Sequence, residues 1–400
     1  MKKKFKYSLL SNAFNKKDID VGIQVLKSKK ITISKITTKF ERYFAKKIGS
    51  KYALMTNSGS SANLLALSAL TNPLNKNKIQ TGSEVIIPAV CWSTSLWPIL
   101  QNNLKPIFVD VEANTFNIDI DKIEKKITKK TKAIMLVHVL GTSTQIDKLM
   151  KLVNKYKLDL IEDTCESLGA TFQNKQLGTY GKFGTYSFYY SHQITSGEGG
   201  MVVCNNIKDY NILKSLRSHG WSRDTFYHNE YKKKFKNLDD RFLFIGPGYN
   251  VRPTEVQGAM AFNQFKRLKH LMSIRNINRN KIIDSLKKDK RWNNQFEFVK
   301  INNKIKPSWF GLPILIKDKN INKNKFLKKI SKNGIENRPI ISGNFLNQPA
   351  SKFYNFGVKS KDFKVADDIE KRGFFIGLHT KKISQNDLNN IVKILLSIDS

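Results

Sequence analysis

Several polar positions stand where apolar strands give way to turns or helices, the places from which side chains can do chemistry. SFYYSHQITSGEGGMVVC (187–204) sets His192 beside a polar, glycine-rich turn between two apolar runs. An imidazole, with a reference pKa of about 6.5, can move a proton near neutral pH. It is one of six histidines, and a lone histidine more often serves structure. LIEDTCESLGA (160–170) ends an apolar run on Asp163, with Glu166 three residues further on. An acid at a strand end is expensive to bury without a partner, so Asp163 either caps a helix or loop or faces a cationic ligand. NSGSSAN (57–63) follows a short strand and opens a helix; its bare N–H groups and hydroxyls suit an anion, although serine turns cap many helices. In PAVCWSTS (88–95), Trp92 follows another strand, as core packing or as a flat face for a flat ligand.

The elements that must hold these residues read as an α/β chain. Residues 16–48 carry two helical patterns broken near KKITIS, and from 52 onward strand-like and helical runs alternate. The strands are expected at 84–90, 105–111, 133–140, 158–164, 184–190 and 200–204. Their near-continuous apolar character predicts a mostly parallel sheet covered on both faces by helices. A long basic helix is expected to run to about 290, followed by a smaller α+β region. The division is drawn as 1–275 for the N-terminal segment with the large domain and 276–400 for the small C-terminal domain. Only the first few residues are read as disordered.

The 400 residues carry a formal charge of +38, from 70 Lys and Arg against 32 Asp and Glu. The lysines are scattered rather than gathered on one arm or helix, which disfavours nucleic-acid binding; a positive field does suit an anionic small substrate. Three cysteines with no CxxC pair argue against a disulfide framework, and no metal is expected. The basic N-terminus lacks a signal-peptide core, and no apolar run reaches the roughly 20 residues of a membrane span, so a cytoplasmic location is expected.

Taken together, SKYALMTNSGSSANLL, GSEVIIPAVCWST, PIFVDVEANTFNID, KAIMLVHVLG, LIEDTCESLGATF, GTYGKFGTYSFYYSHQITSGEGG, GYNVRPTEVQGA and NGIENRPIISGNF resemble the sugar-aminotransferase (DegT/DnrJ/EryC1/StrS) family of pyridoxal-phosphate enzymes. The likeness covers nearly the whole chain and implies an aspartate-aminotransferase-like fold. In the aminotransferases of that family a lysine that binds the cofactor covalently stands at the position of His192. Histidine there resembles a sub-branch, the nucleotide-sugar 3-dehydratases, to which SHGWSRD (218–224), SWFG (308–311) and RPIISGNF (338–345) are also similar.

Carried over position by position, the resemblance implies that Gly59, Ser60, Ser61 and Ser187 hold the cofactor phosphate. Trp92 would stack on the ring, Asp163 pair with its nitrogen, and Glu166 assist with protons. Asn250 would reach the phosphate from the other subunit of a homodimer. His192 would be the base, with His219 a further catalytic candidate and Arg223, Arg252, Arg338 and Phe345 candidates for the substrate pocket. The implied reaction uses pyridoxal 5'-phosphate and its pyridoxamine form, with L-glutamate as amino donor. It removes the carbon 3 hydroxyl of a 4-keto-6-deoxyhexose on a nucleotide, releases ammonia, and serves dideoxysugar and cell-surface polysaccharide synthesis. GDP-4-keto-6-deoxymannose is the expected substrate and a CDP sugar the alternative. A sister enzyme uses an iron–sulfur cluster and a reductase partner; such a cluster needs four thiolates and this chain has three cysteines. The rival readings are an aminotransferase that tolerates the loss of lysine and a non-catalytic binding protein on the same fold.

Overall fold

A seven-stranded sheet carries the larger part of the chain in the computed structural model, which describes residues 5–11 and 14–398. The expectation of disorder at the first few residues falls mainly on 1–4, outside the described residues. In spatial order the strands are Tyr52–Thr56, Gly200–Cys204, Phe183–Ser187, Asp159–Asp163, Thr131–Val137, Glu84–Pro88 and Lys105–Val109. The last five in that order run parallel, and Gly200–Cys204 is antiparallel to both its neighbours. The mostly parallel sheet read from the apolar runs is therefore present. Its strands are buried along nearly their whole length because helices cover both faces, which is why they show runs rather than alternation.

Both N-terminal helices form as the pattern requires, Lys16–Lys27 and Lys35–Ile48. Asn15 caps the first in a capping box with Asp18, and Gly49 ends the second at a φ of 84°. The expected strand at 184–190 stops earlier, at Ser187. The Ser187 hydroxyl accepts from Tyr189 N–H at 3.2 Å, and His192 N–H donates to Tyr189 O at 3.0 Å, so the chain turns out of the sheet. Apolar composition alone does not mark that exit.

The basic stretch after 254 forms two helices, Glu255–Phe265 and Leu268–Lys288; residues 275 and 276 both lie within the second. Beyond it, a four-stranded antiparallel sheet orders Phe296–Phe298, Gly311–Ile316, Gly373–Gly377 and Asn337–Arg338. The chain's beginning packs on this smaller sheet: Tyr7 donates its hydroxyl to Gly377 O at 3.0 Å and stacks on His379. Ser308 and Trp309, just before Gly311–Ile316, lie against the larger sheet's connections, where Ser308 N–H donates to Gly141 O at 2.9 Å. Among the described residues no helix is long and apolar enough to cross a membrane.

Candidate active site

The carboxyl ends of the parallel strands open into a cavity of about 550 Å³. Such strand ends are where open α/β sheets gather ligand-binding side chains. Of the residues singled out from sequence, Gly59, Ser60, Trp92, Asp163, Glu166, Ser187, His192 and Arg338 line it.

Asp163 ends its strand only 4% exposed. Its Oδ2 accepts from Asn63 Nδ2 at 2.8 Å and Ser95 Oγ at 2.7 Å, and its Oδ1 accepts from Cys165 N–H at 3.1 Å. A carboxylate has about four acceptor sites, so roughly one remains for a donor in the cavity. Asn63 and Ser95 were not found from sequence. Asn63 stands one helical turn after Gly59 and Ser95 three residues after Trp92, spacings that place them on the same faces.

The turn at Ser58 opens the helix Gly59–Thr71, with the Ser58 hydroxyl accepting from Ser61 N–H at 3.1 Å. The serine turn therefore caps the helix, and Ser58, Gly59 and Ser60 also line the cavity. Ser61 does not line the cavity; its hydroxyl turns back to Asn57 Oδ1 at 2.6 Å. Gly59 is required for packing, since a Cβ there would lie 2.6 Å from Ser187 Cβ. The backbone at the start of this helix and the side chain at the end of the strand Phe183–Ser187 thus meet at a cradle that a side chain would fill. Trp92 caps the neighbouring helix at the rim and is 55% exposed, a flat apolar face open to the cavity rather than buried in the core.

Glu166 accepts from Leu140 N–H at 3.0 Å, and burial raises its carboxyl to about 7, with Asp163 adding repulsion. His192 is partly buried, packed edge-on against Phe310 and Tyr189, with Nδ1 unpartnered. Burial, reinforced by the positive charge of Arg275, pushes its imidazole down to about 3, so it stands as the free base at neutral pH. This corrects an assumption taken from sequence, in which the ordinary imidazole value described His192. His138 and Cys165 also line the cavity, and no lysine is among its lining residues.

The remaining candidates lie elsewhere in the chain. Arg252 Nη2 is 3.3 Å from His219 Nε2, and its Nε donates to Asn250 Oδ1 at 3.0 Å. The guanidiniums of Arg223 and Arg252 stand 4.3 and 5.6 Å from the Trp221 ring. These four polar residues form one basic, aromatic patch that does not line the cavity. Phe345 is buried, edge-on to Trp97, and does not line it either.

The cradle of Gly59, Ser60 and Ser187, the remaining acceptor site on Asp163 and the open face of Trp92 fit a flat, phosphorylated, protonated heterocycle such as pyridoxal phosphate. Comparisons with known proteins agree. The chain is 38% identical over 377 residues to GDP-4-keto-6-deoxy-D-mannose 3-dehydratase of Escherichia coli O55:H7, covering 93% of this chain and 95% of that one. A solved structure of GDP-4-keto-6-deoxymannose-3-dehydratase with a trapped PLP-glutamate geminal diamine superposes with a TM-score of 0.89 at 35% identity, over 98% of this chain and 100% of that one. A variant of that enzyme with bound GDP-perosamine gives 0.89 at 36% identity and the same coverage. Residues 13–396 match one family model, and the chain belongs to the DegT/DnrJ/EryC1/StrS aminotransferase family.

Proposed function

We propose that this protein is a pyridoxal-phosphate-dependent nucleotide-sugar 3-dehydratase. It removes the carbon 3 hydroxyl of GDP-4-keto-6-deoxymannose with L-glutamate as amino donor, and works in dideoxysugar synthesis for cell-surface polysaccharide. The observation that carries this reading is the cavity wall: His192, and no lysine, stands beside Asp163, Glu166 and Trp92. Among the described residues no lysine lines the cavity, which leaves no amine there to hold an aldehyde cofactor covalently.

When bound, the cofactor supplies an amine for the substrate's keto carbon and a ring that accepts electrons. Asp163 keeps the ring nitrogen protonated, with Asn63 and Ser95 fixing the carboxylate by hydrogen bonds at 2.8 and 2.7 Å. Trp92 stacks on the ring, and Gly59, Ser60 and Ser187 hold the phosphate, with Ser61 fixing the turn from behind. The His192 imidazole, neutral in its buried setting, accepts the carbon-bound proton. Glu166, held near 7, can give a proton to the departing hydroxyl and recover it near neutral pH. The balance closes without an external reductase: glutamate gives up two electrons in becoming 2-oxoglutarate and its nitrogen leaves as ammonia, while the sugar takes up the two electrons at carbon 3. The sugar oxygen leaves as water, and one water is consumed in hydrolysis to supply the keto oxygen of 2-oxoglutarate, so no net water forms. Arg338, at the cavity wall, is placed for an anionic group of the substrate.

The patch of His219, Arg223, Asn250 and Arg252 is read as completing the cavity of a second copy in a homodimer, and the location as cytoplasmic. A single chain whose implied phosphate ligand Asn250 lies outside its own cavity supports the dimer. Mixing two inactive variants, His192→Asn and Asn250→Ala, tests it: exchange of subunits restores about a quarter of the sites if sites are shared. No recovery after verified exchange refutes sharing. The substrate is tested by incubating the protein with pyridoxal phosphate, L-glutamate and either the GDP or the CDP 4-keto sugar. Ammonia release with the GDP sugar is expected; release with the CDP sugar alone overturns the nucleotide.

A further inference from the structure

Arg275 is the feature the proposed reaction leaves unused. It stands in the helix Leu268–Lys288, surrounded in sequence by exposed lysines, yet it is 2% exposed. Among the described residues no carboxylate forms an ion pair with it. Its partners are two carbonyls: Nη1 donates to Trp309 O at 3.1 Å and Nη2 to His192 O at 3.3 Å, while Nε is unpartnered. Burial lowers the guanidinium only to about 10, so it remains a cation at neutral pH. A buried cation held by neutral dipoles alone is costly, and a long apolar side chain would fill the same space more cheaply. That arrangement calls for a role beyond packing.

We infer that Arg275 is a positioning residue of the active site, tying the His192 turn to the segment that leads into the small domain's sheet and fixing a positive charge behind the imidazole. A second buried side chain makes a parallel tie: Gln193 donates to Glu166 O and, at 3.0 Å, to Ser308 O. Both clamps join the turn that carries His192 to residues 308–309. The charge acts on the ring because little opposes it there. Tyr189 and Phe310 meet the imidazole edge-on and are uncharged. Asp163, Glu166, Glu198, His138 and Arg338 line the main cavity with it. Asp18, Arg267, His270 and Lys381 surround a second cavity of about 270 Å³ that His192 also lines. Of these acids Asp18 is taken up by Arg267 at 2.7 Å and Asp163 by its three donors, Glu166 is half neutral near pH 7, and Glu198 is exposed to solvent. The like charge of Arg275 therefore adds to burial in disfavouring imidazolium, so the ring is unprotonated before substrate arrives, at the expense of base strength.

The inference rests on reading His192 as the base, but its test does not need activity. Histidine is labelled with ¹⁵N in the whole protein, His192 is assigned by its loss in His192→Asn, and its ring signals are followed between about pH 4 and 8, a range that brackets the reference imidazole value. Three proteins are compared: wild type, Arg275→Lys, which keeps the charge, and Arg275→Gln, which keeps amide donors for the carbonyls without it. Wild type and the lysine variant should hold a largely neutral ring throughout. In Arg275→Gln the protonation midpoint should rise by about one to two pH units, bringing imidazolium into view at the acid end. Superimposable titrations of wild type and Arg275→Gln overturn the inference. So does a wild-type midpoint near the ordinary imidazole value, which decides the matter even if Arg275→Gln fails to fold. If instead His192→Asn retains full dehydratase activity, the catalytic reading fails while this titration still reports on the charge.

Discussion

Replacing Glu166 by glutamine removes a carboxyl that burial holds at about 7 against an ordinary 4.5. The folded state therefore keeps its proton through a pH range in which the unfolded chain has already lost it. The favourable contribution is fully present below 4.5 and is lost as pH rises through about 7. A displacement of roughly 2.5 pH units corresponds to about 3 kcal/mol, and water at the cavity mouth reduces this to about 2–3 kcal/mol. Glutamine preserves the shape and can still accept from Leu140 N–H, but carries no titrating proton. Stability of Glu166→Gln minus wild type should thus become more favourable by about 2–3 kcal/mol between pH 4.5 and 8. Urea unfolding of both proteins without cofactor, at one protein concentration across that range, measures the difference directly. Parallel pH profiles would refute the assignment of a raised carboxyl and, with it, the proposed proton exchange at Glu166.

Gly59→Ala should weaken binding of pyridoxal phosphate at least tenfold, because its methyl would press on Ser187 at the cradle; titration of the cofactor's absorbance reads it. Asp163→Asn should lower turnover by roughly 10²–10³-fold, since an amide cannot hold a ring nitrogen protonated as a carboxylate does. Steady-state assays check this, and turnover within a few-fold of wild type would contradict the pairing. His192→Lys should abolish dehydration while allowing covalent capture of the cofactor, detected as a borohydride-fixed mass on the peptide that carries the substitution.

The α/β order and the approximate places of the strands were legible because buried parallel strands announce themselves as apolar runs bounded by small and polar residues. His192, Asp163, Trp92 and the serine turn could be picked out because each lies just beyond such a run. What the sequence hid depends on distance along the chain. Asn63 and Ser95 reach Asp163 across 100 and 68 residues, and no local pattern joins them. Arg275 reads as one more charge on a basic helix, since periodicity does not say which cation turns inward. Phe345 resembles a pocket residue but packs edge-on to Trp97 in the core, and His219, Arg223, Asn250 and Arg252 gather in a patch outside this chain's own cavity. The early end of the strand at Ser187 was missed for a different reason: Phe188, Tyr189 and Tyr190 favour strands, and a serine–backbone hydrogen bond overrides that preference.

The central claim is that His192 makes this site deoxygenate a sugar rather than aminate it. The stoichiometry of one reaction mixture tests it most directly, with protein, pyridoxal phosphate, L-glutamate and GDP-4-keto-6-deoxymannose together. Ammonia and 2-oxoglutarate should appear in equal amounts, matched by a nucleotide sugar lighter by one oxygen atom and free of added nitrogen. A product that keeps its carbon 3 oxygen and carries the glutamate nitrogen, with no ammonia released, would contradict the account.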